Sequence, residues 1–158
     1  MSHHYPQVGE EVIDFELNAV GDKKIKLSDY RGKKNVILSF HPLAWTGVCA
    51  DQMMDLEQNI QRLNETDTVA LGISVDSVPS KKAWAESLGV SNVEFLSDFE
   101  PKGEVAKKYN IWHRAGFSER AVFVIDKEAI IRFAKVYPTK QKPDFEEFFG
   151  VLSKINNM

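Results

Sequence analysis

Cysteine is nearly absent from this chain: one residue, Cys49, stands among 158. A lone sulfur excludes an internal disulfide and a zinc site built on cysteines. The four histidines (His3, His4, His41 and His113) are too scattered in sequence to suggest a metal cluster, so neither metal nor cofactor is expected. An excess of one charge is also missing. Twenty Lys and Arg face 23 Asp and Glu, for a formal net charge of −3. That balance removes the electrostatic ground for binding nucleic acid or an anionic membrane. No apolar run nears the ~20 residues of a membrane-spanning helix. The opening MSHHYPQ lacks the basic-then-apolar pattern of a signal peptide, so a cytoplasmic location is expected. There is no repeat, linker or low-complexity tract. The chain is 43% hydrophobic and 27% charged, a balance suited to one packed domain over residues 1–158. A chain of this size buries roughly two-thirds of its unfolded surface and needs no covalent staple.

Hydrophobic periodicity gives the element order. Val12 to Leu17 alternates, as does Lys24 to Leu27, and Gly21-Asp22 between them supplies a turn, which predicts an N-terminal β-hairpin. Val36 to Phe40 and Val69 to Val75 are near-continuous apolar runs of the kind that fill buried strands. Between them, over 49–64, Cys49, Met53, Leu56, Ile60 and Leu63 recur at helical spacing. A second helix starts at Ser77 and stops at Gly89, with Trp84 and Leu88 on one face. A short strand over 93–96 and a short helix over 103–109 follow. Ala121–Ile125 and Ile130–Val136 flank Asp126-Lys127-Glu128 as an antiparallel pair. A last helix opens at an Asp144 cap and carries Phe145, Phe148, Leu152 and Ile155 as its buried stripe. The expected fold class is α/β: a mixed central sheet flanked by helices, with an N-terminal hairpin. Its order matches a thioredoxin-like fold. Sites in such sheets lie beyond the carboxyl ends of strands, and Cys49 follows Phe40 there.

The residues around that cysteine are Phe40-His41-Pro42-Leu43-Ala44-Trp45-Thr46-Gly47-Val48-Cys49. Thr46 is placed to cap a helix whose first turn holds Cys49. Unpaired backbone N–H groups and the positive end of the helix dipole there favour a thiolate. Cys49 shares its face with Met53 and Leu56, which predicts a half-buried sulfur, and the Thr46 hydroxyl is within reach of an atom approaching it. Pro42 has no N–H and shields the site without competing for hydrogen bonds. Cys49 could otherwise be an inert core thiol.

Pro-x-x-x-Thr-x-x-Cys, here Pro42, Thr46 and Cys49, resembles the active-site motif of the peroxiredoxins, and the element order agrees over nearly the whole chain. The resemblance implies an arginine entering from a later strand, and Arg120 in Glu119-Arg120-Ala121-Val122 fits that role. Trp84 is similar to the family's helix tryptophan and reads as core. Gln52 stands where many members carry Glu, and His41 reads as structural or as tuning its neighbours. Met54 occupies the position at which some members carry a resolving cysteine. The chain most resembles the short one-cysteine, alkyl hydroperoxide reductase E-like subgroup. The implied activity is a thiol-specific peroxidase that reduces hydrogen peroxide and organic hydroperoxides through a Cys49 sulfenic acid. Regeneration would need an external thiol or a thioredoxin- or glutaredoxin-type reductant, and the assembly implied is a homodimer. The alternative is a peroxide sensor that relays oxidation from Cys49 to a partner protein.

Overall fold

A computed structural model describes residues 4–156, so His3 lies outside the described residues. The elements are β1 (Glu16–Ala19), β2 (Lys23–Lys26), β3 (Asn35–Phe40), α1 (Gly47–Gln58), α2 (Ile60–Glu65), β4 (Thr68–Ser74) and α3 (Val78–Leu88). They continue with β5 (Glu94–Ser97), α4 (Glu104–Lys108), β6 (Trp112–His113), β7 (Phe117–Ser118), β8 (Arg120–Ile125), β9 (Ile131–Tyr137) and α5 (Phe145–Asn156). Seven strands form one sheet in the order β2-β1-β5-β4-β3-β8-β9, and β6 pairs with β7 apart from it. β5, β4 and β3 are parallel neighbours; β8 runs antiparallel to β3, and β9 antiparallel to β8. The expected mixed α/β sheet with an N-terminal hairpin is what forms.

β3 lies at the heart of the sheet, and all six of its residues are buried. Because successive strand side chains point to opposite faces, it feeds two cores. Val36, Leu38 and Phe40 join Phe15, Leu71, Tyr109 and Phe123 on one side. Ile37 joins Cys49, Met53, Leu56, Trp84, Val122, Phe148 and Leu152 on the other. The predicted helix signals hold for α3 and α5. The Ser77 hydroxyl accepts from the Ser80 amide, Gly89 ends α3 in the left-handed region, and Asp144 Oδ1 accepts from the Glu146 amide.

Two expectations need correction. The first hairpin strand begins at Glu16, not Val12. The Val12 amide donates to the Ala129 carbonyl and Glu11 bridges to Ile130, which draws residues 11–12 to the β8–β9 turn, while Asp14 Oδ1 takes the Phe15 and Ser28 amides. The helix over 49–64 is two helices. Asn59 Nδ2 donates to the Asp55 carbonyl at 2.7 Å, and that side-chain competition for a helix acceptor coincides with the break. The β6–β7 pair is unforeseen, since two-residue strands leave no periodicity to read.

Candidate active site

The directions of three strands bring the site together. β3 ends at Phe40, which lies opposite Ile73 of parallel β4 and Ala121 of antiparallel β8. The carboxyl end of β4 and the amino end of β8 therefore arrive where β3 stops. Arg120, the first residue of β8, is delivered beside the loop 41–46 from 71 residues beyond Cys49. That loop then turns into α1. Thr46 is the residue before the helix, with an extended backbone (φ −113, ψ 150), and Cys49 is the third helical residue. It lies in the first turn, where backbone N–H groups have no partner within the helix.

The Cys49 sulfur is fully buried, at 0% exposure, rather than half-buried as expected. Met53 and Leu56 beneath it and Ala44 above it belong to the same core. Arg120 is also buried. Its Nη1 donates to Cys49 Sγ at 3.2 Å and to Gln52 Oε1 at 2.8 Å, while Nε and Nη2 donate to the Thr139 carbonyl at 3.1 and 2.7 Å. Gln52 is in turn fixed by its own amide, which donates to Ser39 Oγ at 2.6 Å and to the Phe40 carbonyl at 3.2 Å. The guanidinium is thus held at both ends, with one N–H group aimed at the sulfur. Such charge-assisted contacts are among the stronger polar interactions in a protein interior.

His41 is buried against Trp84 and Phe95, with ring centroids 5.4 and 6.4 Å away. Burial, then the charge of Lys81, pushes its imidazole well below the usual histidine range, and a hydrogen bond to Ser39 only partly offsets them. The ring is neutral near pH 7, which suits the structural role read for it.

Pro42 is buried in the loop. Thr46 is exposed, and its hydroxyl caps no helical amide; it donates to the Leu43 carbonyl at 2.8 Å, closing the loop on itself. Trp84 is core, as read. Sequence reasoning missed Ser39 and Lys81. Their signals were a hydroxyl in the middle of an apolar strand and a lysine three residues before Trp84, on the same helical face.

The AhpC/TSA family model matches residues 8–134. Alkyl hydroperoxide reductase E of Mycobacterium tuberculosis is 39% identical over 130 residues, covering 82% of this chain and 84% of that protein. A putative peroxiredoxin of Porphyra purpurea is 36% identical over 160 residues, covering 97% of this chain and 80% of that one. Among solved structures, the reduced 2-Cys peroxiredoxin of Plasmodium vivax superposes with a TM-score of 0.87 at 28% identity, covering 96% of this chain and 83% of that one. The single buried cysteine at a strand-to-helix junction, the guanidinium set against it and these matches agree, and the chain belongs to the AhpC/TSA family of peroxiredoxins.

Proposed function

We propose that this protein is a one-cysteine peroxidase that reduces hydrogen peroxide and organic hydroperoxides at Cys49. The observation that carries the reading is the 3.2 Å contact from Arg120 Nη1 to Cys49 Sγ, with Arg120 held in place by Gln52 and Thr139. The thiolate is the nucleophile. Its electron pair attacks the terminal oxygen of the hydroperoxide, the S–O bond forms, and the O–O bond breaks. The departing alkoxide takes a proton and leaves as an alcohol, or as water from hydrogen peroxide. Negative charge moves from sulfur to oxygen along this path. Donors fixed beforehand around those atoms stabilise the transition state more than the reactants. Arg120 and the amides of the first turn of α1 are assigned that work; the Thr46 hydroxyl, its proton given to the Leu43 carbonyl, offers its lone pairs to the hydroperoxide O–H, and Pro42 excludes water.

The product is a sulfenic acid. With one cysteine in the chain, an external thiol must condense with it, releasing water, and a second thiol must free Cys49 from the mixed disulfide. A thioredoxin- or glutaredoxin-type protein fits this need, as does a small thiol. A reducing compartment such as the cytoplasm suits that cycle. The family resemblance supports a homodimer, and Trp45, 56% exposed just before α1, offers apolar surface for such a contact. The continuous sheet supports one domain over 1–158. The relay alternative draws no support from relatives named as hydroperoxide reductases.

Cys49→Ser tests the assignment. An alcohol near neutral pH is a far weaker nucleophile than a thiolate, so peroxide consumption with excess thiol should fall to background. Turnover above about 5% of wild type would place the chemistry elsewhere.

A further inference from the structure

Lys81 is a buried cation that the mechanism above leaves without a task. It projects from α3 with 0% exposure, and burying an unsatisfied ammonium is costly. Its surroundings meet that cost. The Nζ atom lies 2.7 Å from Ser74 Oγ, 3.3 Å from His41 Nε2 and 3.4 Å from the Gly72 carbonyl: three acceptors for three N–H bonds. The Phe95 ring closes the remaining side at 5.3 Å.

The donor directions are consistent throughout. With His41 Nε2 accepting from Lys81, the imidazole proton sits on Nδ1, which faces the Ser39 carbonyl at 3.4 Å. With Ser74 Oγ accepting from Lys81, its own proton goes to Asp76 Oδ2 at 2.7 Å. The same carboxylate oxygen accepts the Ala44 amide at 2.7 Å. One ammonium therefore reaches the loop ahead of α1 at two points. His41 precedes Pro42 in the chain, and Ala44 follows it by two residues.

We infer that Lys81 is a positioning residue of the peroxide-reducing site, a buried strap that fixes loop 41–46 through His41 on one side and Ser74–Asp76–Ala44 on the other. The inference rests on the peroxidase reading of that site. Cys49 and Arg120 are set relative to each other by α1 and β8, and the loop between Phe40 and Gly47 is the segment joining β3 to that helix. A shift of about 1 Å in such a segment is enough to impair catalysis.

The strap is also sensitive to protons. Burial pushes Lys81 down to about 7, against the attraction of Asp76, Cys49 and Asp98. The charged and titratable groups around it are His41 at the end of β3, Asp76 after β4, Asp98 after β5 and Cys49 on α1, with Arg120 of β8 acting on His41. Below neutrality the ammonium holds all three acceptors. Above it, the neutral amine keeps two protons for three acceptors, and the strap weakens.

The test uses the full chain and two substitutions that leave the hydrogen bond to Cys49 in place: Lys81→Met, similar in length and uncharged, and Ser74→Ala, which cuts Lys81 from Asp76 while keeping the Lys81 charge near Cys49. Oxidation of Cys49 by hydrogen peroxide is timed from pH 6 to 9, and amide exchange is followed at Ala44 with Leu38 as a core reference. Lys81→Met should react about tenfold slower than wild type at pH 6, and the gap should close to about twofold by pH 9 as wild-type Lys81 loses its proton. Ala44 should exchange at least about tenfold faster in Lys81→Met and about fivefold faster in Ser74→Ala, with Leu38 unchanged. Equal rates at pH 6, or a gap that stays constant with pH, would reduce Lys81 to a packing residue. Should Lys81→Met fail to fold, Ser74→Ala decides: Ala44 exchange at the wild-type rate there would overturn the strap. A wild type that consumes no peroxide would overturn the peroxidase reading instead, an outcome the exchange data separate from failure of the strap.

Discussion

At the scale of single residues, the proposed mechanism gives Arg120 the largest share of the chemistry after Cys49. Its guanidinium makes four hydrogen bonds to three groups: the Cys49 sulfur, the Gln52 side chain and the Thr139 carbonyl. The Thr139 and Gln52 bonds orient it, and the remaining contact acts on the reacting sulfur. Removing one preorganised donor from an active site typically costs about 10²–10³ in rate, so Arg120→Ala should slow Cys49 oxidation by at least about 10². Arg120→Lys should not restore it, because an ammonium lacks the planar fork needed to hold sulfur, Gln52 and Thr139 together. Stopped-flow measurement with hydrogen peroxide checks both variants. A wild-type rate in Arg120→Ala would leave the arginine with a structural role only.

At the scale of elements, legibility followed sequence distance. Pro42, Thr46 and Cys49 fall within eight residues, so the strand end, the loop and the first helical turn could be read from one segment. Arg120 reaches Cys49 only because β8 runs antiparallel to β3 with Ala121 opposite Phe40, a register that no local pattern encodes. It was identified through the family resemblance. Lys81 was illegible for the same reason, since its three acceptors come from the end of β3 and two positions on β4. The hidden break at Asn59 coincides with a side chain bonding back to Asp55, which leaves the apolar spacing of 49–64 intact. Gly103 is an element-scale requirement of another kind. It precedes α4 with φ +70, and a Cβ there would run into the Trp112 ring. Gly103→Ala should therefore combine left-handed strain with overpacking and lower stability by about 2–4 kcal/mol in urea denaturation. A loss below about 0.5 kcal/mol would mean that Trp112 moves aside at little cost.

At the scale of the whole molecule, two buried basic side chains shape how stability depends on pH. Folded His41 refuses a proton that the unfolded chain accepts below about 6.5, and folded Lys81 gives up its proton near 7 while an unfolded lysine keeps it to about 10.4. In both windows the unfolded state binds more protons, so stability rises with pH. Denaturation from pH 5.5 to 9.5 should show that climb, with Lys81 supplying at most about 1.4 kcal/mol per pH unit above 7. Lys81→Met should flatten the upper part. Above about 10 the trend reverses, because burial raises Tyr109 and Tyr137 and the fold then resists an ionisation open to the unfolded chain. The central claim, that the molecule reduces peroxide through one sulfur and an external thiol, is tested most directly by intact-protein mass spectrometry. The measurement follows one equivalent of hydrogen peroxide without added thiol. The account predicts a gain of one oxygen atom per chain, located at Cys49 and trapped by a dimedone-type reagent, with excess peroxide carrying it on to the sulfinic acid. An unchanged mass, or a predominant Cys49–Cys49 disulfide between chains, would contradict it, because the second outcome requires two buried sulfurs to leave their sites and meet.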